Sequence, residues 1–98
     1  MIRNVAVLRW KAGTTSAQVQ RATDGPLALV AAILQIRALT CGPDVDAQAG
    51  HWDYAVVSDH DDVADCQAYA VHPERRRVID EAIVPILERS ASMQFQVV

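Results

Sequence analysis

The sequence predicts an α+β fold in the order strand, helix, strand, strand, helix, strand, built on one four-stranded antiparallel sheet. Three observations carry this expectation. Two segments, Arg3 to Trp10 and Trp52 to His60, hold apolar residues at both odd and even positions, as strands covered on both faces do. Two others, Ser16 to Ile33 and Val63 to Leu87, hold apolar residues at helical spacing behind capping signals. At the C-terminus Met93, Phe95 and Val97 alternate with Gln94 and Gln96, which reads as a strand with one wetter face. Two helices cover only one face of such a sheet. The other apolar face therefore needs a partner, and an exposed apolar sheet is an association site.

The elements follow in order. Val5, Ala6, Val7 and Leu8 make the first strand, which Gly13 ends. Thr15-Ser16-Ala17-Gln18 has the capping-box form, with a hydroxyl for the exposed amides and a glutamine three residues on. Val19, Ala22, Leu27, Val30 and Ile33 then recur at helical spacing, and Gly25-Pro26 is expected to split this stretch into two helical pieces. Ile36 to Cys41 reads as the second strand, closed by a turn at Gly42-Pro43-Asp44, with a polar loop to Gly50. In the third strand Trp52, Tyr54 and Val56 share one side, and Ala55 and Val57 the other. Asp61 or Asp62 caps the next helix, whose stripe is Val63, Cys66, Tyr69 and Ala70. Pro73 disfavours an α conformation at His72, so His72 is expected to break the helix and Pro73 to open the next one. That helix carries Val78, Ile79, Ala82, Ile83, Ile86 and Leu87, bent at Pro85. The order is the ferredoxin-like arrangement. Without an internal repeat, low-complexity segment or linker, residues 1–98 are expected to form one domain.

Composition narrows the function classes. With 51% hydrophobic and 21% charged residues the 98-residue chain is globular, yet short enough that pairing with a second copy would help bury its core. A net charge of −3 argues against a nucleic-acid partner, and Arg75, Arg76 and Arg77 spread around a helix instead of forming a stripe. Cys41 and Cys66 make neither a disulfide framework nor a zinc motif, so no metal is expected and a reducing, cytoplasmic location is. No apolar run approaches the ~20 residues of a membrane span. Nucleotide and nucleophile-elbow motifs are missing as well.

The chemistry-bearing stretch is Cys66 to Arg75. Tyr69 and His72, three apart, share a helix face and can address one small molecule. By themselves they also read as a core tyrosine and a capping histidine. His60 closes the third strand and by period two shares a face with Tyr54 and Val56. Its alternative is an exposed strand-end histidine whose neighbours Asp59, Asp61 and Asp62 favour the charged form. His51 lies in a polar loop and reads as surface.

Tyr69-Ala70-Val71-His72-Pro73, with Ile2 to Lys11, Gly42-Pro43-Asp44-Val45 and Asp53-Tyr54-Ala55-Val56-Val57, resembles the stress-responsive dimeric α/β-barrel (Dabb) family over nearly the whole chain. The resemblance implies that two sheets pack face to face as a homodimeric barrel, each subunit keeping a pocket between sheet and helices. Some members resemble polyketide cyclases that carry out cofactor-free aldol condensation with Tyr/His acid–base chemistry; others are stress-induced. In the cyclase-like members a second histidine, three residues beyond the His-Pro histidine, is the general base. Here that position is Arg75, which stays protonated and cannot abstract a proton. The expectation is a cofactor-free acid–base enzyme on a polyketide-like or aromatic compound, with Tyr69 as proton donor and His72 or His60 as acceptor. Asn4, Ala6, Leu8, Tyr54, Val56 and Arg75 are expected to line the ligand site, Asn4 as an oxyanion contact and small Ala6 leaving room. The alternatives are a non-catalytic, stress-responsive binding protein and a cofactor-free monooxygenase.

Overall fold

Alternating side chains and two capped helical stretches resolve, in a computed structural model describing Met1 to Val98, into a sheet with helices on one face. Strands β1 (Ile2–Trp10), β2 (Ala38–Pro43), β3 (Tyr54–His60) and β4 (Leu87–Gln96) pair antiparallel in the order β2, β3, β1, β4. Helix α1 (Ser16–Ala32) links β1 to β2, and α2 (Val63–Val71) with α3 (Pro73–Val78) leads from β3 towards β4. This is the ferredoxin-like fold that the sequence predicts.

Parity sets the two faces of the sheet. Leu8, Tyr54, Val56, Ser58 and His60, all even, are buried under the helices. Across this face Ala6 lies between Val56 of β3 and Ser92 of β4. The odd residues Val5, Val7, Ala55 and Val57 lie on the opposite face, where no helix covers them. There Met93 and Phe95 of β4, beside Val5 and Arg3, are 60% and 38% exposed.

Thr15 and Gln18 form the predicted reciprocal capping box. The expected split at Gly25-Pro26 does not occur: α1 runs through both residues. The pre-proline clash with the α conformation involves the Cβ of the preceding residue, and Gly25 has none. The same bareness lets α1 approach α3, since a Cβ on Gly25 would fall 2.7 Å from Val78 Cγ1. Ala22, Pro26 and Leu29 form the buried stripe, continued by Ile33 at the C-cap, whereas Leu27 and Val30 point outwards.

Three further boundaries differ from expectation. Ile36 is core ahead of β2, and Gly42 and Pro43 stay in the strand, Pro43 opposite Tyr54. An edge strand tolerates a residue without an N–H. Trp52 precedes β3 and escapes its alternation, so its ring lies against Arg9 and Arg89, with guanidinium carbons 5.4 and 5.1 Å from its centroid. Finally, the expected bent helix to Leu87 becomes a π turn over Ile79–Ile83 and a 3-10 turn over Val84–Ile86 around Pro85. Pro85 has no N–H with which to continue an α ladder. Leu87 then opens β4.

Candidate functional site

Small and polar residues on β1 and β4 leave room beneath the second helical layer. Asn4, Ala6 and Leu8 of β1, with Val56 of β3, form one wall of a cavity of about 300 Å³. Ser90, Ser92 and Gln94 of β4 continue that wall, so the wetter face of the last strand looks into the cavity. Tyr69 and Ala70 of α2, Arg75 of α3, and Ile79 and Ile83 of the π turn close it from above, with Pro26 and Leu29 of α1 at the side. The lining is mainly apolar, and Arg75 is its one charged residue.

Tyr69 is buried, with two flat groups beside it. Its ring centroid lies 4.7 Å from that of His60 and 5.0 Å from the Arg75 guanidinium carbon. Tyr69 belongs to one core cluster with Leu29, Ile33, Ile36 and Val78. Arg75 is tied down by a hydrogen bond from its Nη1 to the Ala70 carbonyl at 3.1 Å, while its buried Nε has no partner. Its charge also reaches Cys66, partly opposing the burial that pushes that thiol upwards.

His60 and His72, both expected near the ligand, lie outside the cavity lining. His60 is fully buried, which overturns its reading as an exposed strand-end residue. Its Nδ1 donates to the Gln35 carbonyl at 2.8 Å and its Nε2 pairs with the Ser58 hydroxyl at 2.9 Å. Both nitrogens are thereby engaged. His72 does break the helix as predicted, in an extended conformation. Its Nδ1 accepts the Glu74 amide at 3.2 Å and caps α3. Helical spacing brought Tyr69 to the cavity, but His72 lies beyond the last residue of α2, so the shared face ends before it. His51 is half exposed, beside Asp44 and Gln48.

Tyr54 also lies apart from the cavity, in the cluster of Leu8, Ala22, Val56, Ile83 and Ile86. Its hydroxyl pairs with Thr23 Oγ1. Burial, helped by a hydrogen bond with Cys41 and opposed by Thr23, pushes its pKa from 10.0 up to about 12. The folded protein thus keeps a proton that the unfolded chain has released. Stability present below pH 10 is expected to be lost as pH rises through about 12. Ultraviolet titration of the wild type against Tyr54→Phe should show the Tyr54 phenolate forming late; a Tyr54 phenolate that formed near pH 10 would contradict the environment described.

Of the lining residues foreseen, Asn4, Ala6, Leu8, Val56, Tyr69 and Arg75 come together and Tyr54 does not. Ser90, Ser92, Gln94 and the α1 pair Pro26 and Leu29 went unforeseen. The signal was present for β4, whose polar residues fall on the parity that pairs with Asn4 and Ala6.

The architecture defines a class: ferredoxin-like domains in which helices cover one sheet face and leave a cavity against it. Within it, the chain belongs to the stress responsive A/B barrel domain family, Dabb, whose profile matches residues 2–97. A dimeric ferredoxin-like protein of unknown function from Thermobifida fusca shares 33% identity, covering 98% of this chain and 90% of its own, at a TM-score of 0.88. A hydroxynitrile lyase from Passiflora edulis superposes with a TM-score of 0.86 at 17% identity, over 98% of this chain and 92% of the lyase, a likeness of fold alone. A Dabb family protein from Mesorhizobium loti reaches a TM-score of 0.81 at 16% identity, over 99% and 96% of the two chains. No functionally curated protein matches the sequence. No helix is long and apolar enough to cross a membrane.

Proposed function

We propose that the protein is a homodimeric enzyme that moves protons on an enolisable carbonyl compound, small and largely apolar, bound between the sheet and the second helical layer. The observation that carries this reading is Tyr69 beside Arg75 in a cavity that no carboxylate lines. Solvent water takes the carbon proton, the phenol donates its own to the developing enolate oxygen and is reprotonated from solvent, and a fixed guanidinium stabilises the charge that precedes the transfer. With neither His60 nor His72 in the lining, the fitting substrates are those whose own acidity helps the carbon proton leave, such as β-dicarbonyl compounds. Proton transfer at such a carbon is the step that cyclase and aldol-type reactions share. The free thiols of Cys41 and Cys66 agree with a cytoplasmic setting.

The test is α-proton exchange of benzoylacetone in heavy water, followed by NMR. Tyr69→Phe is expected to slow the catalysed exchange by on the order of 10²-fold while the protein stays folded. His72→Ala is expected to leave exchange unchanged and to cost about 1 kcal/mol of stability through the lost cap. Unaltered exchange in Tyr69→Phe would exclude the mechanism. The engagement of both His60 nitrogens favours one second reading, a binding protein without catalysis. Its signature is saturable binding with no exchange in the wild type.

A further inference from the structure

We infer that the cavity's ligand is itself an anion: a small molecule with an apolar body and one carboxylate, which Arg75 receives on its guanidinium. The inference rests on reading the cavity as the ligand site and goes beyond that reading by giving the ligand a charge. Arg3, Arg37 and Arg77 each pair with a carboxylate, Asp59, Asp61 and Glu74 respectively. Arg75 has none. Its guanidinium is held by the Ala70 carbonyl and laid over the Tyr69 ring, so its position is set before any ligand arrives. Its Nη1 is taken by that carbonyl and its Nε is closed off inside the protein, which leaves Nη2 as the edge without a partner. A carboxylate oxygen there would accept a charge-assisted hydrogen bond and bring the missing counter-charge.

The rest of the lining fits this chemistry. Asn4, Ser92 and Gln94 offer amide and hydroxyl donors for polar atoms of the ligand, and Ala6, Leu29 and Ile83 offer an apolar wall for its body. No lining residue carries a negative charge that would repel an anion. A volume of 300 Å³ suits a molecule of one ring with a short acid arm and lies at the small end of ligand sites, roughly 300 to 1,000 Å³.

The test uses 3-phenylpropanoate and 4-phenylbutanoate against their primary amides, which keep shape but not charge. Calorimetric titration of the whole protein is expected to show the acids binding roughly ten- to a hundredfold more tightly than the amides. Arg75→Gln should abolish that preference. Arg75→Lys, which keeps the charge without the guanidinium fork, should retain part of it and serves should the glutamine variant not fold. Tyr69→Phe should preserve the preference, because the anion contact belongs to Arg75. Equal binding of acid and amide, no binding of either acid at millimolar concentration, or an unchanged preference in Arg75→Gln would each overturn the inference. Acid-selective binding without proton exchange would leave it standing and remove the catalytic reading; exchange without acid selectivity would do the reverse.

Discussion

Light scattering at micromolar concentration is expected to return twice the chain mass of 10.7 kDa, and Val57→Asp is expected to return the single mass. Val57 lies on the face opposite the helices, on a central strand, with Val5 and Thr40 as its cross-strand neighbours. The row continues to Met93, and the next row holds Ala55, Val7 and Ala91, so an apolar surface runs across the sheet. Only its flank carries a matched pair, Arg3 donating twice to Asp59 across the strands at 2.7 and 3.0 Å. Two copies joined through this face would bury the ~1,200 to 2,000 Å² of a stable interface. In a two-fold arrangement one substitution places two carboxylates in the contact, and each costs several kcal/mol to desolvate without a partner. The dissociation constant should rise by about 10³-fold or more. A monomeric wild type, or a dimer indifferent to the aspartate, would show that another surface, or none, is used.

Most of the architecture was legible because it rests on periodicities that side chains enforce locally. The even and odd residues of Arg3 to Trp10 announce a strand covered twice, and the Thr15 to Gln18 box announces a helix start. Pro73 placed the break at His72 one residue from the end of α2. What could not be read depends on neighbours distant in sequence. Gly25-Pro26 reads as a break unless one knows that glycine removes the clash and that Val78 needs the space. The cavity was legible as a role for Ala6 and Tyr69. Its polar side was not, because Ser90, Ser92 and Gln94 acquire meaning only through pairing with Leu8, Ala6 and Asn4. The histidines show the limit most clearly. Residue type made His60 and His72 candidates for proton transfer, and only the partners of their nitrogens show one satisfied inside the core and the other capping a helix.

Replacing His60 with alanine should destabilise the protein by about 2 to 4 kcal/mol, because one residue holds together three things that burial makes costly to separate. Its ring fills a site with no solvent exposure, so truncation leaves a void beside Tyr69. The Gln35 carbonyl and the Ser58 hydroxyl lose their partners in the same step. At fixed protein concentration the melting temperature should fall by roughly 10 to 30 °C. His60→Gln, which restores an amide within reach of those two groups, should recover part of the loss. The consequence for the site is indirect: without the imidazole, the Tyr69 ring keeps its contact with Arg75 and loses its contact with His60. On the proposed mechanism His60 positions Tyr69, and its glutamine variant should retain proton exchange at a reduced rate with an unshifted pH profile. An alanine variant that melted as the wild type does, yet lost exchange together with the pH dependence of an imidazole, would instead make His60 the base and require the core around Ser58 to open during turnover.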